Sequence, residues 1–242
     1  MRLSVSLYFF ARKIRSFIKE LLVKKQNFKI IGGKLVNLDC LPKKNPRILS
    51  FGVGMDLDFE YELIKKNNAE IIAWDPTDAA ENYLKSKALG ISYFKKAIGK
   101  INEKRYVYDN PNENGDYMAS FFEYSEGSSS NKKVEVVAFD DVVNQYSPDY
   151  IKMDIEGAEY EIIESLSELE VPQISIEFHH DKMNKTIFDT IICIQRMIEL
   201  GYVPFDYGAW CGRERGLKKY VSLWRDGNVE LLFVRKDLSE IH

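Results

Sequence analysis

No stretch of the 242-residue chain reaches the roughly 18 to 20 consecutive apolar residues that a membrane-spanning helix needs. Cysteine is scarce. Cys40, Cys193 and Cys211 are odd in number and far apart, which argues against a disulfide framework or a zinc site and for reduced thiols in a cytoplasmic protein. An excess of either charge is missing too: 34 Lys plus Arg stand against 37 Asp plus Glu, net −3, where a dedicated nucleic-acid binder would be strongly basic. General disorder is ruled out by ordinary apolar and charged fractions of 45% and 29%. No internal repeat is visible. The length suits one open α/β sheet.

The amino terminus departs from this average. Residues 1–29 carry eight basic side chains and one acid, Glu20, and Leu7 to Val23 places Phe10, Ile14, Phe17, Ile18, Leu21 and Leu22 at helical spacing. Charges interrupt the apolar run and no small-residue cleavage site follows, so it is a poor signal peptide. One reading is a basic amphipathic helix on an anionic membrane surface. The other is a helix packing its stripe on the domain or on a second subunit of a homo-oligomer. Residues 1–46 are accordingly read as a basic helical extension, and residues 47–242 as the main domain.

From residue 47 strand and helix patterns alternate. Strands are expected at 47–52, 70–76, 91–98, 149–155 and 173–179, with helices at 58–66, 78–88, 158–169 and 185–200. That alternation indicates a mostly parallel α/β sheet. Residues 104–136 read as an inserted hairpin with loops, and 202–210 and 229–235 as an antiparallel closing pair at one sheet edge.

Gly52-Val53-Gly54 sits where the first strand of that domain meets its helix, and glycines there let a ligand approach the backbone. Asp75 ends the next strand 21 residues after Gly54, where a carboxylate can accept both hydroxyls of an adenosine ribose. The bland reading is a tight turn and a helix-capping acid. Leu57 stands where a dinucleotide fingerprint has its third glycine, and Asp56 and Asp58 would repel a pyrophosphate. S-adenosylmethionine, a nucleoside with a sulfonium and no phosphate, suits this loop better than NAD.

The string Lys152-Met153-Asp154-Ile155-Glu156-Gly157-Ala158-Glu159 resembles the signature of the FkbM family of S-adenosylmethionine-dependent methyltransferases. Asp75-Pro76, Ala97-Ile98, Asp140-Asp141 and Glu177-Phe178-His179 match further family features, and the resemblance covers about residues 47 to 235. It implies a class I (Rossmann-like) methyltransferase sheet. It also implies S-adenosyl-L-methionine as cofactor, held by Gly52, Val53, Gly54, Asp56, Asp75, Pro76 and Ala97. O-methylation, often of a sugar or natural-product hydroxyl, is the activity it suggests, which points to sugar modification and polysaccharide biosynthesis. Ser50 departs from the family, whose members commonly carry an acid there; Asp56 is the substitute expected to hold the donor's amino group.

A sugar hydroxyl is a poor acid, so a base or a metal must assist methyl transfer. Lys152 and Asp154 share strand parity, as do Glu177 and His179 on the neighbouring strand, so four polar groups are expected at one crevice. Asp154 and His179 are the candidate bases. Lys152 either contacts substrate or pairs with Glu177. Asp154, Glu177 and His179 also suit a divalent metal, magnesium or manganese, though a base alone explains them equally well. Glu156 and Glu159 read as favourable charge on the following helix's first turn, and His180 as a polar neighbour pointing the other way.

Tyr117, Phe121, Phe122 and Tyr124 of the insertion either cover the crevice or pack on the sheet. Trp210 with Arg213, Arg215, Lys218 and Lys219 suits a phosphate-bearing sugar nucleotide or forms a solvated loop. Two rivals to the methyltransferase remain: a nucleotide-dependent oxidoreductase on the same fold, and a non-catalytic membrane-surface or partner-binding module.

Overall fold

The computed structural model describes residues 27–87, 89–111, 117–121, 132–180, 185–206 and 228–239. The expected N-terminal helix, Cys211 and the basic run after Trp210 lie outside them, as do Phe122 and Tyr124.

A seven-stranded sheet organises the chain, in the order β12-β13-β11-β10-β3-β4-β5. Strands β3 (Arg47–Phe51), β4 (Glu70–Trp74), β5 (Ser92–Phe94), β10 (Tyr150–Met153) and β11 (Gln173–His179) run parallel. β13 (Asn228–Arg235) pairs antiparallel with β11 and with β12 (Tyr202–Asp206), giving the expected closing pair. Both faces of the parallel strands are covered, and their side chains alternate between two cores. Leu49, Phe51, Ile151 and Met153 enter one core; Ile48 and Tyr150 enter the other. Helices α1 (Asp58–Asn67), α2 (Asp78–Lys87), α3 (Phe139–Tyr146), α4 (Glu159–Ser165) and α5 (Ile187–Glu199) connect the strands, and a short α6 (Lys236–Ser239) follows β13. Thr186 and Asp189 close a reciprocal capping box that starts α5.

Three features differ from the sequence reading. The strand expected at 91–98 breaks after Phe94: β5 stays in the main sheet, while β6 (Ala97–Gly99) starts a second one. There β6 pairs with β9 (Lys132–Ala138), followed by β7 (Glu103–Pro111) and β8 (Tyr117–Ser120), so the insertion supplies three strands of a four-stranded sheet, more than a hairpin. Helix α4 stops at Ser165, four residues before the end of its apolar pattern.

The third difference matters most for the site. Residues 28–37, read as part of a helical extension, form a β-hairpin of β1 (Phe28–Ile31) and β2 (Lys34–Asn37). Ile31, Leu35 and Val36 are buried in the second core. Gln173 of β11 clamps the hairpin: its Oε1 accepts from the Asn37 amide at 2.9 Å and its Nε2 donates to the Asn37 carbonyl at 3.1 Å. Tyr150 adds a bond to the Leu35 carbonyl at 3.1 Å. Burial and these bonds fix Lys34 above the carboxyl end of β11.

Candidate active site

The site lies where α/β sheets bind ligands, outside the carboxyl ends of the strands. β3 ends at Phe51, and Gly52 follows with φ +75°. A Cβ on Gly52 would stand 1.7 Å from the carbonyl oxygen of Asp154, so only glycine lets the tips of β3 and β10 approach this closely. Gly54, φ +52°, has nothing within 4 Å of its missing Cβ, and its amide donates to Asp75 Oδ2 at 3.0 Å. Asp75 Oδ1 accepts from the amide and hydroxyl of Thr77 at 2.9 and 2.5 Å. The carboxylate therefore ties the glycine loop to the start of α2, as the bland reading expected; Oδ1 already accepts two bonds, and Oδ2 keeps a further acceptor direction.

A cavity of about 400 Å³ opens over this loop. Gly52, Val53, Gly54, Asp56, Asp75, Pro76 and Ala97 all line it, so the expected donor residues come together. Asp56, the substitute acid, stands at the exposed side of the cavity, and its Oδ1 also accepts from the Asp58 amide at 2.9 Å. Trp74 and Ile98 add apolar wall, and Val107 and Phe121 bring the insertion to the rim. Phe121 thus faces the cavity; the side chain of Tyr117 lies outside the described residues.

Ser50 and Lys152 sit side by side on β3 and β10 and face α1. Both meet Glu60, a fully buried residue of α1: its Oε1 accepts from the Ser50 hydroxyl and lies 3.4 Å from Lys152 Nζ. Lys152 lines the cavity but takes Glu60 as partner and not Glu177. Glu60 was missed from sequence because a Glu inside an amphipathic helix reads as solvent-facing. Lys34 was missed for a related reason, its hairpin having been read as helix. Its ammonium stands 3.5 Å from Glu177 Oε2 and 3.2 Å from Glu230 Oε2 and also lines the cavity. Burial alone would lower the Lys34 pKa, but Glu230, Asp154 and Glu177 together raise it.

Asp154 lines the cavity, whereas His179 lies behind it, 2% exposed. His179 Nε2 is 3.5 Å from Glu156 Oε2, 3.7 Å from Asp154 Oδ1 and 3.9 Å from Glu177 Oε1. Its Nδ1 is 3.3 Å from Glu159 Oε1. Burial opposes the imidazolium, yet the Glu159 hydrogen bond and the charges of Glu159, Glu156 and Asp154 push the His179 pKa up to about 10. Desolvation, with Glu177 nearby, raises the Asp154 carboxyl against the pull of His179, Lys34 and Lys152. Glu177 goes the other way: burial would raise it, but Lys34, His179 and a hydrogen bond from Asn228 hold it low.

Two expectations are corrected here. The cluster with metal-ligand spacing is Asp154, Glu156 and His179, their ligand atoms within 4.8 Å of one another; Glu177 is turned towards Lys34 and Asn228. Glu156 and Glu159 do more than charge a helix turn. Glu156 has a left-handed backbone, φ +54°, and lines the cavity. Glu159 is fully buried and accepts from the amides of Ile155 at 3.0 Å and Gly157 at 2.7 Å. His180 is buried as well.

A sequence model of the methyltransferase FkbM domain matches residues 29–204. The chain belongs to the FkbM methyltransferase family. It is an S-adenosylmethionine-dependent methyltransferase with a class I α/β sheet. The family domain begins at the hairpin that carries Lys34 and includes Asp75, Asp154 and His179. No curated protein matches the FkbM chain significantly. Among solved structures it is similar to a precorrin-6y C5,15-methyltransferase from Geobacter metallireducens, at 12% identity and TM-score 0.40 over 82% of this chain and 83% of that one. It is also similar to a geranyl diphosphate C-methyltransferase from Streptomyces coelicolor A3(2), at 9% identity and TM-score 0.35 over 81% and 76%. Such distant likenesses say nothing of the acceptor. Among the described residues no helix is long and apolar enough to cross a membrane.

Proposed function

We propose that this FkbM methyltransferase transfers the methyl group of S-adenosylmethionine to a hydroxyl of a sugar or sugar nucleotide. The observation that carries the reading is the division of one cavity into two ends. One end has the glycine loop, the Asp75 carboxylate and the apolar Trp74, Ala97 and Ile98; the other has Lys34, Lys152, Asp154 and Glu156. The first end fits a nucleoside: Asp75 Oδ2 accepts from a ribose hydroxyl while apolar side chains face the base. The open edge at Gly54, where a Cβ would meet nothing, leaves room for the rest of the donor, and about 400 Å³ is within the range of small-molecule sites.

When bound, the donor supplies an electrophilic methyl group on a positively charged sulfur. The charged end of the cavity recognises a polyhydroxylated acceptor by hydrogen bonds; an apolar terpene or an alkyl chain would strip water from those charges without replacing its hydrogen bonds. Asp154 fronts the acceptor hydroxyl and takes up its proton as the new O–C bond forms and the donor's S–C bond breaks, with His179 behind holding the carboxylate in place. Glu177, fixed by Lys34, orients this pair. The reaction takes place in the cytoplasm as a step of sugar or polysaccharide modification.

Incubation of the full chain with methyl-labelled donor and a panel of sugar nucleotides tests the reading. Label in a product ether is expected with at least one acceptor. Label found only on carbon or nitrogen acceptors from parallel incubations would refute O-methylation while leaving methyl transfer intact.

A further inference from the structure

We propose that Asp154, Glu156 and His179 form a binding site for a first-row divalent transition-metal ion at the acceptor end of the cavity. The inference starts from His179. Its ring is almost fully buried, and Nδ1 faces the carboxylate of Glu159, itself pinned by the amides of Ile155 and Gly157. Nδ1–H donates to Glu159, which directs Nε2 at Asp154 and Glu156; an ion binding there takes the place of the Nε2 proton that these carboxylates otherwise hold on the ring. At 3.5 and 3.7 Å, the two carboxylate oxygens stand beyond the 2.7–3.2 Å of a good N–H···O bond.

Those spacings are close to what one shared ion requires. Ligand atoms about 2.1 Å from an ion at tetrahedral angles lie roughly 3.4 Å apart. A carboxylate holding the far nitrogen of the imidazole is the usual support of a metal-bound histidine, and Glu159 supplies it. The turn carrying Glu156 is anchored as well: Ser120 Oγ donates to the Glu156 carbonyl at 2.7 Å. One imidazole with two carboxylates favours manganese, iron or zinc over magnesium and calcium, which prefer oxygen alone.

Asp154 and Glu156 line the cavity while His179 lies behind them, so three ligands cover one side of the ion and the free coordination positions face the acceptor. An ion held there lowers the pKa of an alcohol oxygen entering that position, which makes a hydroxyl the acceptor group. The choice of acceptor rests on the O-methylation reading above; the metal site itself does not.

The test is manganese binding by the chelator-stripped full chain, followed by loss of the free Mn²⁺ electron paramagnetic resonance signal, with S-adenosylhomocysteine binding measured separately by calorimetry. One Mn²⁺ per chain, displaced by Zn²⁺, is expected. Glu156→Gln and His179→Ala should each weaken Mn²⁺ at least tenfold, and Glu159→Gln about tenfold through loss of the supporting bond. Glu177→Gln should change it by less than about threefold, which separates this ligand set from one containing Glu177. Retained thermal melting shows that each variant is folded. Wild-type protein that binds S-adenosylhomocysteine but no stoichiometric Mn²⁺ or Zn²⁺ would overturn the metal site alone, and so would binding indifferent to both Glu156→Gln and His179→Ala. Failure to bind S-adenosylhomocysteine would instead count against the methyltransferase reading.

Discussion

Lys152 and Glu60 meet beneath the cavity floor, Nζ to Oε1 at 3.4 Å, with their side chains 7% and 0% exposed. β10 supplies the cation and α1 the anion, so the pair bolts the first helix of the domain to the centre of the sheet. Breaking such a pair from one side strands a buried charge, at a cost of about 3 to 5 kcal/mol. Lys152→Met and Glu60→Gln should each lower the urea midpoint accordingly. The double variant Lys152→Met with Glu60→Gln should lose clearly less than the sum. Additive losses in this cycle would mean that the two residues do not act as a pair.

Gly52 and Gly54 both have positive φ, but only Gly52 is crowded. Gly52→Ala must push the Asp154 backbone away and should both lower the melting temperature and weaken S-adenosylhomocysteine by more than about tenfold. Gly54→Ala pays only the left-handed backbone cost of roughly 1 to 2 kcal/mol. Calorimetry on the two variants should rank them in that order; equal losses would contradict the close approach of β3 and β10.

Asp75→Ala removes the proposed ribose acceptor and also releases the Gly54 amide and Thr77. Hydrogen bonds to a charged acceptor are worth about 1.5 to 3 kcal/mol, so donor affinity should fall tenfold or more. An unchanged dissociation constant for S-adenosylhomocysteine would take Asp75 out of the site.

Asp154→Asn and His179→Ala act at the other end of the cavity. Both should keep donor affinity within a few fold while turnover of the best sugar-nucleotide acceptor falls by roughly 10² or more. If both turn over at the wild-type rate, the assignment of the chemistry to this pair is wrong.

Deletion of residues 1–24 should leave S-adenosylhomocysteine binding intact, since the glycine loop and its clamped hairpin lie beyond the cut. Sedimentation of the full chain with anionic liposomes tests membrane contact by the basic segment directly. Absence of co-sedimentation would remove membrane contact and leave packing on the domain or on a second subunit.

Much of the donor end was legible in the order of residues. The Gly52-Val53-Gly54 turn, Asp75 after the second strand of the domain and Ala97 after the third are local signals at strand tips, and the parallel βαβ order alone brings strand tips to one edge. The alternation of two core faces along β3 and β10 was equally readable, because period-two patterning is a property of the chain itself. The family signature at Lys152 to Glu159 marked the acceptor end but not the partners of its charges.

Those partners were a matter of packing. Lys34 reaches Glu177 from a hairpin 143 residues away, Glu60 reaches Lys152 over 92, and Glu159 folds back on its own turn to hold His179. Periodicity reports which face of an element is apolar, and a charged residue buried by an ion pair violates that rule in the same way as an exposed one obeys it. The sequence by itself therefore determined the fold class, the family and the glycine turn after the first strand of the domain. Only the tertiary structure decided that Glu156 and not Glu177 stands with Asp154 and His179, because that choice depends on a left-handed turn and on which carboxylate Lys34 neutralises.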